Sequence, residues 1–126
     1  MKILLLIHIV TLLVYGCGLT KTTDEVEEFI PGTYIRFSKH EFGTEFDTLV
    51  ISLQNKSALE YKILRKWKYE RMLDDQKIEP EYKRSFTSGI YNGKHRVLRE
   101  NETGDMYSFD VKQRTLFNGP VKYQKL

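Results

Sequence analysis

The chain has 126 residues, of which 40% are hydrophobic and 29% are charged, with 20 Lys and Arg, 17 Asp and Glu, and a single cysteine. This length predicts one domain. The net charge of +3 is small and the basic residues are mixed with acidic ones, so the composition does not indicate a nucleic-acid-binding protein. A lone cysteine also excludes a fold that is stabilised by intramolecular disulfides.

Residues 1–16 have the organisation of a secretory signal. Lys2 provides a positive start, and residues 3–14 form an almost continuous apolar stretch. The stretch is shorter than the roughly 20 apolar residues that a membrane-spanning helix needs. We therefore predict a leader that is removed on export, which takes away Lys2 and leaves a net charge of about +2.

The cysteine lies at the end of this leader, in a context that favours lipid attachment. Val14, Tyr15, Gly16 and Cys17 resemble the lipobox of bacterial lipoproteins, although Tyr15 is bulkier than the residue usually found there. The resemblance implies that the Cys17 thiol receives a diacylglyceryl group and that cleavage before it leaves an N-terminus that is then acylated. An ordinary secretory signal with an incidental cysteine is the alternative. Lipidation is favoured because a small residue, the lone cysteine and the end of the apolar stretch coincide.

The next segment, residues 17–28, is predicted to be a flexible acidic tether behind the lipid. Its sequence after the cysteine, GLTKTTDEVEE, has few apolar residues and ends in a cluster of acids. A solvated spacer is the favoured interpretation, and a sorting signal for surface display is the alternative. The folded domain is expected to comprise residues 29–126.

Short alternating runs separated by turn residues predict an all-β antiparallel meander for this domain. Asn92 and Gly93 are expected to form a tight hairpin turn, because both tolerate positive φ angles. The predicted strands are Thr33–Ser38, Phe46–Leu53, Leu59–Met72, Tyr82–Tyr91, His95–Glu100, Met106–Asp110, Thr115–Asn118 and Val121–Lys125.

The third of these strands has a composition that would also suit a helix. In a helix, its apolar stripe would continue into Glu70 and Asp74. In a strand, one face is charged at most positions and the other is apolar, so a period of two fits better. The apolar face consists of Leu59, Tyr61, Ile63, Trp67 and Tyr69, with Arg65 as the exception.

Eight consecutive short strands must protect their edges, and closure into a barrel does so. A barrel of this size holds packed side chains or one small ligand. We therefore predict a compact lipocalin-like barrel, with a two-sheet sandwich as the alternative.

Arg65 is the informative exception on the apolar face, because an unpaired buried guanidinium is costly. It could stack on Trp67 or Tyr61 and pair with Glu45 or Asp47, which is the favoured outcome. It could instead point into a cavity and bind an anionic ligand. A β-bulge that turns it outward is the third possibility.

No catalytic constellation emerges from the sequence. His40, Glu41, Glu45 and Asp47 form the one cluster that resembles metal ligands, but the second histidine of a metalloprotease helix is missing. There is no Gly-x-Ser-x-Gly elbow and no phosphate-binding glycine loop. We predict a protein without enzymatic activity, metal or cofactor, and a hydrolase built on residues 40–47 is the least favoured alternative.

The segments IPGTYIRFSKHEFGTEFDTLVI and GPVKYQKL resemble small lipoproteins of Gram-negative bacteria, in which a lipidated cysteine precedes a lipocalin-like domain. Residues 32–34, Gly-Thr-Tyr, match the Gly-x-Tyr/Trp start of such barrels, and residues 47–49 fit the second strand. The resemblance implies that the aromatic ring of Tyr34 plugs the barrel floor. Some similar proteins are encoded among conjugative-transfer genes, which implies a role at the envelope during mating.

The leading functional hypothesis is a non-enzymatic, lipid-anchored interaction protein of the bacterial envelope, in the outer membrane rather than the inner one. Its partner would be another envelope or transfer component that meets the strand faces or loops near residues 69–82. The second hypothesis is a binding module for a small apolar or anionic ligand. Its cavity would be lined by Tyr34, Tyr61, Arg65, Trp67 and Phe86.

Overall fold

The computed structural model describes residues 24–74 and 76–126. The predicted leader, Cys17 and the first part of the tether lie outside the described residues. Within the described ranges, no helix has the length and apolar character needed to cross a bilayer.

The chain forms one short helix followed by nine strands. The helix is α1 (Glu25–Phe29). The strands are β1 (Gly32–His40), β2 (Gly43–Asn55), β3 (Glu60–Leu73), β4 (Gln76–Lys77), β5 (Glu81–Asn92), β6 (Val97–Glu100), β7 (Met106–Asp110), β8 (Thr115–Asn118) and β9 (Val121–Lys125).

Eight of the strands close into an antiparallel meander barrel. Each strand pairs with its neighbour in the order β1, β2, β3, β5, β6, β7, β8 and β9, and β9 returns to β1 where Tyr34 lies opposite Lys125. The all-β barrel prediction is confirmed, and the sandwich alternative is not observed. The two-residue strand β4, which was not predicted, pairs with the end of β3 outside the ring.

The predicted strands are all present, with differences at their ends. The segment tested as helix or strand is β3, and the ladder between β2 and β3 is regular opposite Arg65, so no bulge turns that residue outward. The prediction of a tight hairpin turn at Asn92 and Gly93 is wrong. Asn92 Oδ1 instead accepts hydrogen bonds from the backbone N–H groups of Lys94 and His95, at 3.0 and 3.3 Å, and the positive φ angle falls on Arg96. This longer loop delays the next strand to Val97.

Helix α1 and its cap at Asp24 lie within the segment that the sequence analysis assigned to the tether. The Asp24 carboxylate caps α1 by accepting the Val26 N–H at 2.9 Å, and it also accepts the Tyr91 hydroxyl at 2.7 Å. Val26 and Phe29 are buried. A one-turn helix is unstable alone, so tertiary contacts with the barrel order the acidic residues that were assigned to the tether.

Helix α1 covers one end of the barrel. The hydroxyl of Tyr34 lies 3.0 Å from the Phe29 carbonyl oxygen and 2.8 Å from the Ile30 carbonyl oxygen. The Phe29 ring meets the rings of Tyr34 and Phe109 edge-on at 6.0 and 6.2 Å. The aromatic side chain of the Gly-Thr-Tyr sequence thus packs under the floor helix.

The barrel interior next to this floor is filled by side chains. Apolar and tyrosine side chains from all eight ring strands pack together there, in one cluster with Val26 and Phe29 of α1. The buried members of this core on the strands are Tyr34, Leu49, Ile51, Tyr61, Ile63, Tyr91, Leu98, Tyr107, Leu116 and Tyr123.

The ring strands differ greatly in length, and this shapes the other end of the molecule. β6 to β9 are four or five residues long, whereas β2, β3 and β5 have 12 to 14 residues. β1 loses its β9 partner after Ile35, and β5 pairs with β6 only from Gly89 onward. The unmatched lengths form a four-stranded extension, which we call the projecting sheet: residues 36–40, 43–47, 65–73 and 81–87.

Gly89 stands where β5 enters the ring. A Cβ atom at this position would lie 2.8 Å from the Arg99 carbonyl oxygen of β6. Only glycine therefore allows the two backbones to approach this closely, and the close approach fixes the point at which the barrel closes.

The tyrosine-rich core predicts how the protein responds to alkaline pH. Burial raises the pKa of Tyr61 and of Tyr107 to about 12. Burial also raises the pKa of Tyr34, Tyr91 and Tyr123. A phenol with a raised pKa in the folded state stabilises the fold fully below the unfolded-state pKa of about 10. This contribution is lost as the pH rises through the folded-state value.

We therefore expect the free energy of unfolding to fall between pH values of about 10 and about 12. In a titration followed at the phenolate absorbance, the signal of these five tyrosines should appear together with loss of the near-ultraviolet circular dichroism. Titration of the chain in concentrated guanidinium gives the unfolded reference. Reversible ionisation of all five near the unfolded pKa, with the dichroism retained, would contradict this account of the core.

Candidate functional site

The concave face of the projecting sheet begins at a buried carboxylate. Asp47, on β2, is fully buried and accepts hydrogen bonds from Arg65 Nε at 2.9 Å and from an Arg65 terminal nitrogen at 2.6 Å. The Tyr123 hydroxyl donates to the same carboxylate at 2.8 Å. The bond to Asp47 raises the pKa of the Arg65 guanidinium. The predicted pairing of Arg65 with an acid of the second strand is therefore observed.

A second polar group follows one step further from the barrel. The Trp67 indole N–H donates to a Glu45 carboxylate oxygen at 2.5 Å, and an Arg36 guanidinium nitrogen lies 3.8 Å from the same oxygen. Because β1, β2 and β3 are in register here, these three side chains share the concave face. Both acids of this face next to the barrel are therefore engaged by protein donors.

An aromatic row runs along the concave face toward the tip. The rings of Trp67 and Tyr69 stack with centroids 5.7 Å apart, and His40 stacks on Tyr69 at 5.8 Å. The Arg71 guanidinium lies 5.8 Å from the centroid of the Tyr69 ring. The row holds the hairpin of β1 and β2 against β3 where the barrel no longer supports them.

A hollow of about 550 Å³ opens on this face beside β5. Its lining is rich in cations and contains no acid, and the Lys83 ammonium lies 5.1 Å from the centre of the Trp67 ring. The Arg65 side chain is 49% exposed here although its partner Asp47 is buried. The lining residues are Arg65, Trp67, Lys83, Arg84 and Ser85.

The convex face of the projecting sheet combines exposed aromatic rings with basic side chains. Phe37 is 62% exposed and meets Phe46 with ring centroids 5.2 Å apart, and Tyr82 is 68% exposed. The Lys68 ammonium lies 5.4 Å from the Phe46 ring centre and 5.9 Å from that of Tyr82. A second hollow, of about 490 Å³, lies on this side and is also bordered by Lys83 and Arg84.

The tip carries further exposed apolar side chains. Phe42 occupies the turn between β1 and β2, and its carbonyl oxygen accepts the Met72 N–H at 2.9 Å. Met72, Leu73 and Ile78 surround the short strand β4 and are all exposed. This end lies within the region near residues 69–82 that the sequence analysis assigned to partner binding.

The five residues predicted to line one ligand cavity do not come together. Tyr34 and Tyr61 are buried in the packed core, and Arg65 and Trp67 lie on the concave face. Phe86 is exposed on the convex face, because it pairs with Leu64 and therefore points away from Arg65 and Trp67. Strand alternation places it there: residues 82, 84 and 86 share the outward face of β5.

The cluster proposed for metal or hydrolytic chemistry is dispersed into structural roles. His40 stacks on Tyr69, Glu41 lies in the hairpin turn, and Glu45 and Asp47 accept the hydrogen bonds described above. Within residues 24–74 and 76–126, no group of three or more His, Cys, Asp or Glu side chains is arranged to hold a metal ion.

Two participants in the concave face were not identified from the sequence. Tyr123 reaches Asp47 across 76 positions of the chain, and nothing local to the last strand signals this contact. Lys83 looked like one of many solvated charges. Lys83 lies directly opposite Trp67 on the neighbouring strand. The sequence could have predicted this contact only if the register between β3 and β5 had been known.

Comparison with known proteins adds no assignment. The chain matches no protein-family model, no curated protein and no solved structure. The function proposed below therefore depends on the residues of this chain alone.

The structural role of the buried Asp47 carboxylate can be tested by removing its partner Arg65. Arg65→Leu removes two donors from a buried charge, and we expect the free energy of unfolding to fall by about 2–4 kcal/mol. Replacing both partners, as Asp47→Leu with Arg65→Leu, should recover part of this loss, because no buried charge is then left unpaired. Urea denaturation of the single and double variants measures both effects.

Lys68→Leu is the matched control, because Lys68 pairs with Glu70 at 2.7 Å on the exposed face of the same strand. Its cost should stay below about 1 kcal/mol. Equal losses for Arg65→Leu and Lys68→Leu would mean that the bond to Asp47 contributes no more than a surface ion pair.

Proposed function

We propose that this protein is a non-enzymatic binding module of the bacterial cell envelope, tethered through a lipidated Cys17 and presenting its projecting sheet to a partner protein. The observation that carries the proposal is the length mismatch in the barrel. β2, β3 and β5 continue past the closed ring into a sheet with exposed aromatic and basic side chains on its convex face, and exposed charges beside half-buried aromatic rings on its concave face. Unpartnered surface of this composition is typical of interaction sites.

The position of this sheet suits a tethered module. The chain joins the domain at Asp24, beside Tyr91 near the end of β5, while the projecting sheet contains the start of β5. β5 runs between the two ends and is about 36 Å long at about 3.3 Å per residue. A tether of residues 17–23 adds at most about 25 Å. The surface proposed for binding is thus at the opposite end of β5 from Asp24, where the predicted tether joins.

The lipid anchor is supported by the lipobox-like sequence before Cys17. Each buried acyl methylene contributes about 0.8 kcal/mol to membrane binding, so the two or three chains of a mature lipoprotein hold it almost permanently. The resemblance to lipoproteins encoded among conjugative-transfer genes makes a component of the transfer machinery one candidate partner. The outer membrane is the favoured location.

A small anionic ligand is the second candidate for what this protein binds. The end of the barrel next to α1 is filled by the packed tyrosine core, so such a ligand would occupy the hollow on the concave face. The cations of Arg65 and Lys83 and the Ser85 hydroxyl favour a carboxylate or phosphate there.

The anchor is tested by Cys17→Ser in cells that process lipoproteins. We expect the native protein to fractionate with membranes and its intact mass to show a chain that begins at position 17 with acyl groups attached. The variant should lose the acyl mass and leave the membrane fraction, or remain as an unprocessed precursor. A native protein with an unmodified terminus would remove the anchor from the proposal.

Partner binding through the projecting sheet is tested by site-specific photo-crosslinking in the same cells. A photoreactive phenylalanine derivative at Tyr82, on the sheet, should give a reproducible protein adduct. The same group at Lys112 is the control, since Lys112 is also exposed but lies in the turn between β7 and β8. Adducts at both positions, or at Lys112 alone, would contradict binding through this sheet.

A further inference from the structure

Both outer strands of the projecting sheet have an uncovered side among the described strands, and the longer of the two is on β5. β5 pairs with β3 from Glu81 to Ile90, but its other side meets β6 only from Gly89. Ser88 is covered as well, because its carbonyl oxygen accepts the Asn101 N–H at 2.9 Å. Residues 81–87 therefore have no ladder partner on this side among the described strands, and we call them the free edge.

The backbone groups that face outward at this edge can be assigned from two hydrogen bonds near the C-terminal end of β5. The Tyr91 N–H donates to the Leu59 carbonyl oxygen at 2.9 Å, so odd-numbered residues turn their backbone groups toward β3. The bond to Ser88 shows that even-numbered residues turn the other way. Because the register is uninterrupted along β5, the N–H and C=O groups of residues 82, 84 and 86 point out of the free edge.

The side chains of the free edge carry unneutralised positive charge on both faces of the sheet. Lys83 projects to the concave face and Arg84 to the convex face, and neither forms a salt bridge within 4.0 Å in the described part of the chain. Lys66, directly opposite Arg84 on β3, adds a third cation. An incoming strand would therefore meet positive charge whichever way its side chains point.

The hollows described above flank this same edge. The concave one and the convex one are both bordered by Lys83 and Arg84, and each is large enough for one or two side chains. A strand added beside β5 would send alternate side chains to opposite faces of the sheet. Backbone donors, charge and space thus coincide along residues 82–86.

We propose that the free edge binds an extended acidic segment of a partner protein as an added β-strand. Backbone hydrogen bonds to residues 82, 84 and 86 supply the pairing, and carboxylates of the segment contact Lys83 on one face and Arg84 on the other. This inference rests on the proposed function and names the chemistry of the partner.

A second copy of this chain fits the edge poorly. In a two-fold antiparallel pairing centred on the free edge, Arg84 would lie opposite Arg84 of the other copy, and like charges directly opposite are destabilising. The same positive charges that protect the edge from self-association therefore favour an acidic strand.

Residue-resolved amide exchange measures the pairing directly. The probe is acetyl-Thr-Glu-Glu-Val-Glu-Glu-Thr-amide at about 1 mM, added to the full-length, isotope-labelled protein in zwitterionic detergent, because a short strand is expected to bind weakly. The amides of Tyr82, Arg84 and Phe86 should exchange at least about threefold more slowly. Those of Lys83 and Ser85 already donate to β3 and should not change. The protection should weaken as the salt concentration rises.

Two control peptides separate strand pairing from charge. The peptide in which proline replaces the central valine keeps the charge but cannot continue a ladder, and the peptide with lysine for glutamate keeps the backbone but reverses the charge. Neither should protect the three amides. Protection by either control to the same extent would overturn the proposal.

Variants of the edge give a second readout. Arg84→Pro removes an N–H that points out of the sheet, so the fold is retained and the protection is lost at residues 82 and 86. Lys83→Glu with Arg84→Glu should weaken peptide binding by about tenfold or more. The matched control Lys94→Glu with Lys112→Glu reverses two exposed charges in turns remote from the edge and should leave binding unchanged.

The remaining outcomes each overturn the proposal in a distinguishable way. Protection that depends on protein concentration without peptide assigns the edge to a second copy. Citrate binding near Trp67, seen by fluorescence, without amide protection by the peptide assigns the hollow to a small anion. Protection by anionic vesicles alone assigns the face to a membrane. A Tyr82 crosslink in cells without peptide protection removes the acidic strand but leaves the proposed function standing.

Discussion

A closed barrel requires every ring strand to have a neighbour on both sides, and four of the eight strands of this ring are too short to provide one along the full length of the others. β6 to β9 can accompany their neighbours for only four or five residues. The long strands pair among themselves beyond that point and leave two strand edges uncovered. The division of the molecule into a packed barrel and an open, solvent-exposed sheet follows from this mismatch. The proposed partner surface and the free edge depend on it in turn.

The packed barrel and the projecting sheet meet where the inward-facing side chains change from apolar to charged. Below this boundary, the core consists of apolar and tyrosine side chains, and the hydroxyls of Tyr34 and Tyr91 donate to the Ile30 carbonyl oxygen and the Asp24 carboxylate. At the boundary, Asp47 is fully buried and its hydrogen bonds come from Arg65 and Tyr123, on strands far apart in sequence. A buried carboxylate with these donors is tolerated because its charge is compensated. Beyond it, the concave face is lined by exposed charged residues and half-buried aromatic ones, as expected where the ring no longer encloses it.

Solvent exposure gives the free edge two properties at once. Exposed backbone donors and acceptors invite strand addition, and natural proteins commonly place lysine or arginine at such edges to discourage self-association. Lys83 and Arg84 provide this protection. Because their charges lack partners in the described part of the chain, they also make the edge selective for a strand that brings carboxylates.

The sequence alone determined the strand architecture of the domain. Alternation with a period of two is a local property, so it fixed nearly all ring strands and the inward face of β3, including Arg65 as its exception. Strand lengths were visible too, since the predicted Leu59–Met72 is far longer than Thr115–Asn118. The sequence did not reveal α1, which contacts with the barrel order, or the four-residue loop that replaces the tight turn at Asn92.

The tertiary structure decided everything that depends on register between distant strands. It brought Tyr123 to Asp47, placed Phe86 on the convex face away from Trp67, and left residues 81–87 without a second neighbour among the described strands. Pairing partners and shear are global properties of a closed ring. No local pattern in this chain could therefore reveal which edge would remain open, or which cations would flank it.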